Sequence, residues 1–174
     1  MGVMRTYLTR HGQGPLPTED ATLAGEMPEA HNTSGGWQGA WRVGWPDIVL
    51  ARYALEVTGG VDALAVTHVD RLGSRATWRV ATEYDVRATG HDDVLTRGTD
   101  GRVLALRVGT LGDLEHQSRL TCVLAQARPH LREVCSVELL AMLESALEVP
   151  IRCLSVGPAA RDKTAPESKI DSTA

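Results

Sequence analysis

Short apolar or alternating runs, each closed by turn residues, recur along this 174-residue chain with helix-forming segments between them. That alternation is the strongest limit on its fold. VMRTYLT (residues 3–9) alternates and is rich in β-formers, so it predicts a strand that starts almost at the first residue. ALAVTHV (63–69) is a brief apolar run between turns, as a buried strand requires. Residues 76–86, 102–108 and 150–156 predict three more strands. Residues 47–57 are helix formers, with Pro46 at the first helical position and Gly59–Gly60 as a stop. A second helix is expected over 113–128, ending before Pro129. A third follows Ser136 as its cap, with Leu139, Leu140, Leu143 and Leu147 on one face. Strands that alternate with helices imply an α/β class. Residues 21–45 show no period and predict extended loop, and loops of that length in a compact domain are usually functional or disordered. One domain is expected over 1–161, with a polar, frayed tail over 162–174.

The chain has no Phe and only 4% aromatic residues, so Val, Leu and Ala must supply most of its core. A net charge of −4 gives no basic surface for nucleic acid. Cys122, Cys135 and Cys153 are odd in number and far apart, which suits a reducing compartment better than a disulfide framework. The first residues lack the apolar run of a signal peptide, and no segment reaches membrane-spanning length. A cytoplasmic protein with neither a membrane nor a nucleic-acid partner is expected.

Two loops carry candidate chemistry. TRHGQGPLPTE (9–19) sets Arg10 among glycines whose backbone amides can approach a phosphate or a base; its plain reading is a tight turn that needs Gly and Pro for geometry. NTSGGWQGAWRVGWPD (32–47) interleaves Trp37, Trp41 and Trp45 with glycines and abuts a helix start. Glycines 35, 36 and 39 permit close approach and motion. Arg42 offers a guanidinium fork of the kind that matches carboxylates and phosphates. Trp37 and Trp41 keep two readings, packing on a base or ribose and plugging the core. Trp45 and Asp47 read as structural, with Asp47 complementing the helix dipole. His11 has no His or Cys close to it in the sequence to share a metal. The acidic run GHDDVLTRGTDG lacks the spacing of a calcium loop and reads as a solvated turn.

Four stretches in order, YLTRHGQGPLPTE, WRVGWPDIVLARYAL, LAVTHVDRL and PIRCLSVGP, resemble the C-terminal part of the adenylosuccinate synthetase family. The resemblance spans Gly2 to Pro158, with no support from residues 87–134. It implies the C-terminal part of that family's mixed sheet with flanking helices. The implied activity is a GTP-dependent ligase joining IMP and L-aspartate to give adenylosuccinate, GDP and phosphate. By resemblance, Arg10, Thr33, Gln38 and Arg42 contact substrate, and Thr67, Asp70, Ser155 and Gly157 contact GTP. Asp70 of THVD stands where the family's aspartate accepts from the guanine N1–H and amine, and SVGP stands on the other side of the base. His68 replaces a lysine. The family's arginine-rich substrate loop keeps only Arg42, so Gln38 and a tryptophan are expected to substitute.

The family's phosphate loop of the type GDEGKGK, with its catalytic aspartate, has no counterpart in this sequence. No catalytic residue is therefore assigned here, and the ligands of Mg²⁺ are expected outside the chain. The expectation is a C-terminal portion, inactive alone, that works with an N-terminal half or in a homodimer. Two other readings stand beside it. One is a phage-type relative that joins aspartate to dGMP; the other is a non-catalytic guanine-nucleotide-binding fragment.

Overall fold

The computed structural model describes residues 1–27, 29, 37–87 and 90–166. In chain order the elements are β1 (Gly2–Arg5), β2 (Leu8–His11), α1 (Ala21–Glu26), β3 (Trp41–Gly44), α2 (Ile48–Val57), β4 (Leu64–Thr67), β5 (Thr77–Asp85), β6 (Leu95–Arg97), β7 (Val103–Leu106), α3 (Leu114–Gln126), β8 (Arg128–Cys135), α4 (Leu139–Leu147), β9 (Ile151–Ser155) and β10 (Lys163–Thr164). They form a mixed α/β architecture with three sheets. The first has order β1-β4-β9-β10, the second is the ribbon β2-β3, and the third has order β6-β7-β5-β8. Strands β1, β4 and β9 run parallel, and β10 returns antiparallel to β9. The third sheet is antiparallel.

The expected strand over 3–9 is two strands in two sheets. The break has a physical cause: Thr6 and Tyr7 are both buried, which a regular strand with alternating faces does not allow at consecutive positions. Thr6 N–H donates to Thr67 O at 3.1 Å, ending the parallel pairing, and the chain then turns Tyr7 into the core. The expected loop over 21–45 holds α1 and β3 as well. Asp20 caps α1, its Oδ1 accepting from the amides of Thr22 at 2.8 Å and Leu23 at 3.0 Å. With six residues and only Leu23 buried, α1 is too short to show a period.

The helix start moves from Pro46 to Ile48. Asp47, not a helical Pro46, is the boundary: its Oδ1 accepts from Leu50 N–H at 3.1 Å, and Pro46 O takes Ala81 N–H at 2.9 Å. Ser136 makes no side-chain cap and begins a 3-10 turn instead, which α4 continues with Leu139, Leu143 and Leu147 buried. Leu140 is half-buried against the same core. Strand β8 was hidden by Pro129 and its charges. It is an edge strand, where a proline is tolerated, and it pairs with β5 along its length. Within the polar stretch after β5, β6 pairs with β7. Beyond residue 161 the chain is not immediately tail, since β10 pairs Lys163 with Ser155 and Thr164 with Leu154. Residues 167–174 lie outside the described residues.

Two cores share α2. The larger gathers Tyr7, Trp45, Trp78, Val66, Leu139 and Leu143, with Trp45 and Trp78 meeting edge to face at 5.8 Å. The smaller sits under the antiparallel sheet and includes Val49, Tyr84, Val94, Leu106 and Val123. Cys122, Cys135 and Cys153 are free thiols. Among the described residues no helix is long and apolar enough to cross a membrane.

Candidate functional site

The parallel register brings two of the sequence motifs together. Val66 of β4 pairs with Leu154 of β9, so Thr67 and Ser155 end neighbouring strands and the chain beyond each leaves on the same edge. In α/β sheets that edge is where ligands bind. After Thr67, His68 takes a left-handed conformation (φ 60°) and leads into a 3-10 turn over Val69–Ser74, with Asp70 in its first turn. A non-glycine residue in that region carries strain of roughly 1–2 kcal/mol, so its surroundings must hold it. They do: Thr6 Oγ1 donates to His68 O at 2.9 Å, Thr67 Oγ1 donates to Met4 O at 3.2 Å, and the His68 ring meets Tyr7 edge-on at 5.4 Å. The break between β1 and β2 thus supplies the two side chains that brace the Asp70 turn. Asp70 is exposed, with Oδ2 3.3 Å from Arg71 Nε.

His68 Nδ1 lies 3.2 Å from Thr67 Oγ1, and Nε2 lies 3.7 Å from Glu29 Oε1. Burial, then the nearby Arg5, hold its pKa below the ordinary imidazole value despite Glu29. Glu29 also accepts from Tyr7 Oη at 3.1 Å and from Arg5 at 3.2 Å. Burial and that carboxylate raise the Tyr7 hydroxyl to about 12.

On the neighbouring strand, Ser155 is buried and its hydroxyl donates to Gly157 O at 3.1 Å. A Cβ on Gly157 would lie 2.5 Å from Asp162 Oδ2, so a side chain there must displace Asp162. Asp162 closes this turn by accepting from Ala159 N–H at 2.7 Å, while Lys163 Nζ donates to the carbonyls of Gly157 and Ala159. Asp162 and Lys163 were not singled out from sequence, because they fell in the expected tail.

The second group of residues sits at the end of the β2-β3 ribbon. Arg10 and Arg42 are direct cross-strand partners. Exposed Arg10 donates from Nε and Nη2 to Gln13 O at 3.1 and 2.8 Å. Arg42 is a strand residue, not a loop residue. Its Nε and Nη2 reach both oxygens of Glu19, and its Nη1 donates to Gly12 O at 3.0 Å and Gly14 O at 2.7 Å. That bonding holds the Glu19 carboxyl below its ordinary pKa. Glu19 is a site residue that sequence reasoning missed; its signal is the carboxylate that closes the proline-rich loop.

Gly12 (φ 67°) and Gly39 (φ 74°) meet backbone to backbone, where a Cβ on Gly39 would lie 2.9 Å from Gly12 Cα. Beside them a concavity of about 350 Å³ is lined by Gly12–Gly14, Trp37–Ala40 and Arg42. The three tryptophans have different fates. Trp37 is fully exposed, which removes the core-plug reading. Trp41 is half-buried, 4.7 Å from the His11 ring and packed against the larger core. Trp45 is buried, its indole donating to Asp20 at 2.9 Å. Gln38 is exposed at the rim. Thr33 lies outside the described residues. Among those that are described, no group of three His, Cys, Asp or Glu is placed to hold a metal ion.

The profile of the adenylosuccinate synthetase family matches residues 1–165, nearly the whole chain. The chain belongs to the adenylosuccinate synthetase family. Among its relatives, the adenylosuccinate synthetase of Thermus thermophilus is 35% identical over 170 residues, covering 92% of this chain and 36% of the relative. That of Acaryochloris marina is 33% identical over 169 residues, covering 94% and 36%. A solved structure, fully ligated adenylosuccinate synthetase from Plasmodium falciparum, superposes with a TM-score of 0.70 at 18% identity, covering 95% of this chain and 39% of that one. The last match supports the fold alone. The chain spans a little over a third of the length of the relatives it matches.

Proposed function

We propose that this chain is the guanine-recognising portion of an adenylosuccinate synthetase, a ligase of purine biosynthesis that joins IMP and L-aspartate at the expense of GTP. The observation that carries this reading is the placement of Asp70 and the Ser155–Gly157 turn beyond adjacent parallel strands, within a chain of this family. An exposed carboxylate at Asp70 accepts from the guanine N1–H and exocyclic amine together. Adenine presents no such pair of donors, so the same group discriminates GTP from ATP. Gly157 lets the opposite turn approach the base closely, and Thr67 with the braced His68 fixes where Asp70 points.

The ribbon end serves the other substrates in this reading. Gln38 and the glycines line the concavity, Arg10 stands beside it on the Gln13 carbonyl, and exposed Trp37 offers a flat apolar surface to a base or ribose. GTP first phosphorylates the purine O6, and the aspartate amine then displaces that phosphate. The sequence holds no counterpart of the family's GDEGKGK-type phosphate loop, so we assign it no step of phosphoryl transfer. In our reading it is cytoplasmic and acts beside the phosphate-loop portion, within one subunit or a homodimer. The rewritten loop around Trp37 keeps dGMP as an alternative acceptor; turnover of IMP against dGMP by the complemented enzyme separates the two.

The test is nucleotide titration of the 174-residue chain. GTP is expected to bind more tightly than ATP, with no phosphate release from GTP in the presence of IMP and aspartate. IMP- and aspartate-dependent phosphate release by this chain alone would contradict the assignment.

A further inference from the structure

We infer that Arg42 and Glu19 form a positioning pair that clasps the 12–19 loop, and that Arg42 does not itself contact substrate. The inference rests on reading the ribbon end as part of the nucleotide site. The loop leaves β2 on one side of β3 and returns on the other: Gly44 pairs with Leu8 across the ribbon and with Glu19 on its opposite edge. Arg42 stands in β3 between the two. One end of its guanidinium holds the carbonyls of Gly12 and Gly14, where the loop begins, and the rest holds the carboxylate of Glu19, where the loop ends. Four donor–acceptor contacts on a group with five N–H donors leave little for a ligand.

The remainder of the loop is tied down independently. Thr18 Oγ1 donates to Trp45 O at 2.7 Å, and Glu19 N–H to Leu16 O at 3.0 Å, with Pro15 and Pro17 restricting the backbone between. Like charges directly across a ribbon repel, and Arg10 faces Arg42 in that way. Glu19 neutralises one of the pair. The clasp also fixes Gln13, whose carbonyl orients Arg10. Arg10, exposed and bonded to a single carbonyl, is the guanidinium presented to an anion.

The two roles for Arg42 predict opposite effects of one substitution. If Arg42 is a ligand contact, Glu19→Gln removes a competing carboxylate and leaves binding as tight or tighter. If it is a clasp, Glu19→Gln loosens the loop and weakens binding. The experiment is IMP titration of the 174-residue chain followed by tryptophan fluorescence, with amide hydrogen exchange over residues 12–18 and a thermal melt on each variant. For Glu19→Gln we expect an affinity loss of about 5- to 20-fold, faster exchange confined to the loop, and a melt lowered only slightly. Arg42→Lys, which keeps the charge but not the fork, should match it, and the double variant should be no worse than either alone. Wild-type binding with Glu19→Gln binding equally well or better overturns the clasp alone. A wild-type chain that does not bind IMP overturns the reading of the site, and this inference with it.

Discussion

Thr67, Asp70, Ser155 and Gly157 stand where they do because β4 and β9 run parallel in fixed register, and the sheet carries both strand ends to one edge. Arg10 and Arg42 are set opposite each other by the β2-β3 pairing, and a proline-rich loop folds around β3 and is tied there by Arg42. The first region resembles the family's motifs, with His68 in place of a lysine. By resemblance, the second keeps only Arg42 of the family's arginine-rich loop and carries tryptophan, glutamine and glycine around it. The difference teaches that strand ends tolerate little, since a substitution there must still fit a buried register. A surface loop tolerates change as long as its anchors hold.

The largest expected effect tests whether the two regions share one floor. Trp45 is buried in the larger core, between Trp78 and the Asp20 cap. Trp45→Ala should cost about 3–5 kcal/mol in a denaturant melt and abolish nucleotide binding at both regions together. Loss of binding at only one of them would mean that they are energetically separate.

Next in size is a pH effect that sets the regions apart. Asp47 is buried, accepting from Tyr84 Oη at 2.6 Å, and burial raises its pKa from 3.8 to about 6. The folded state therefore binds a proton that the unfolded state has lost between about pH 4 and pH 6. Asp47's contribution to stability falls as pH rises through that window and is flat above it, a change on the order of 2–3 kcal/mol. Glu19 runs the other way: its carboxyl is held low by hydrogen bonding to Arg42, so the clasp's contribution is present above the ordinary glutamate range and lost in acid. Denaturant midpoints measured from about pH 4 to 7 should show the Asp47 slope, and Asp47→Asn should flatten it while keeping the helix start.

Gly157→Ala is a sharper break. Its Cβ would collide with Asp162, so a loss of about 1–3 kcal/mol in the thermal melt is expected, together with weaker GTP binding and unchanged IMP binding. The smallest stability effect belongs to Trp37→Ala. A fully exposed side chain should change the melt by no more than about 0.5 kcal/mol, while IMP affinity falls. A large stability loss there would return Trp37 to a structural role.

How far the sequence was legible follows the same division. The strands that became β4, β5, β7 and β9 were readable because apolar runs between turns leave few alternatives, and helix α2 was readable from its flanking Pro and Gly. The β1–β2 break was not, because Thr6 and Tyr7 fit a strand pattern and their burial depends on contacts to His68 and Glu29 far away in sequence. Strand β8 was missed because an edge strand may keep proline and charge. The strand-end site residues came from the family resemblance and are brought together by register. Glu19 and Asp162 escape a reading of the sequence because their roles are hydrogen bonds to a strand arginine and a turn amide; only Glu19 has a local sign, as the carboxylate that closes a proline-rich loop.

We propose above that the strand-end region reads guanine through Asp70. The most direct measurement is a paired titration of GTP and ATP against the wild-type chain and Asp70→Asn. Hydrogen bonds to a charged group contribute roughly 1.5–3 kcal/mol, so wild type should favour GTP by about tenfold or more, and the variant should lose that preference without a change in its melt. An Asp70→Asn chain that still prefers GTP to the same degree would contradict the claim.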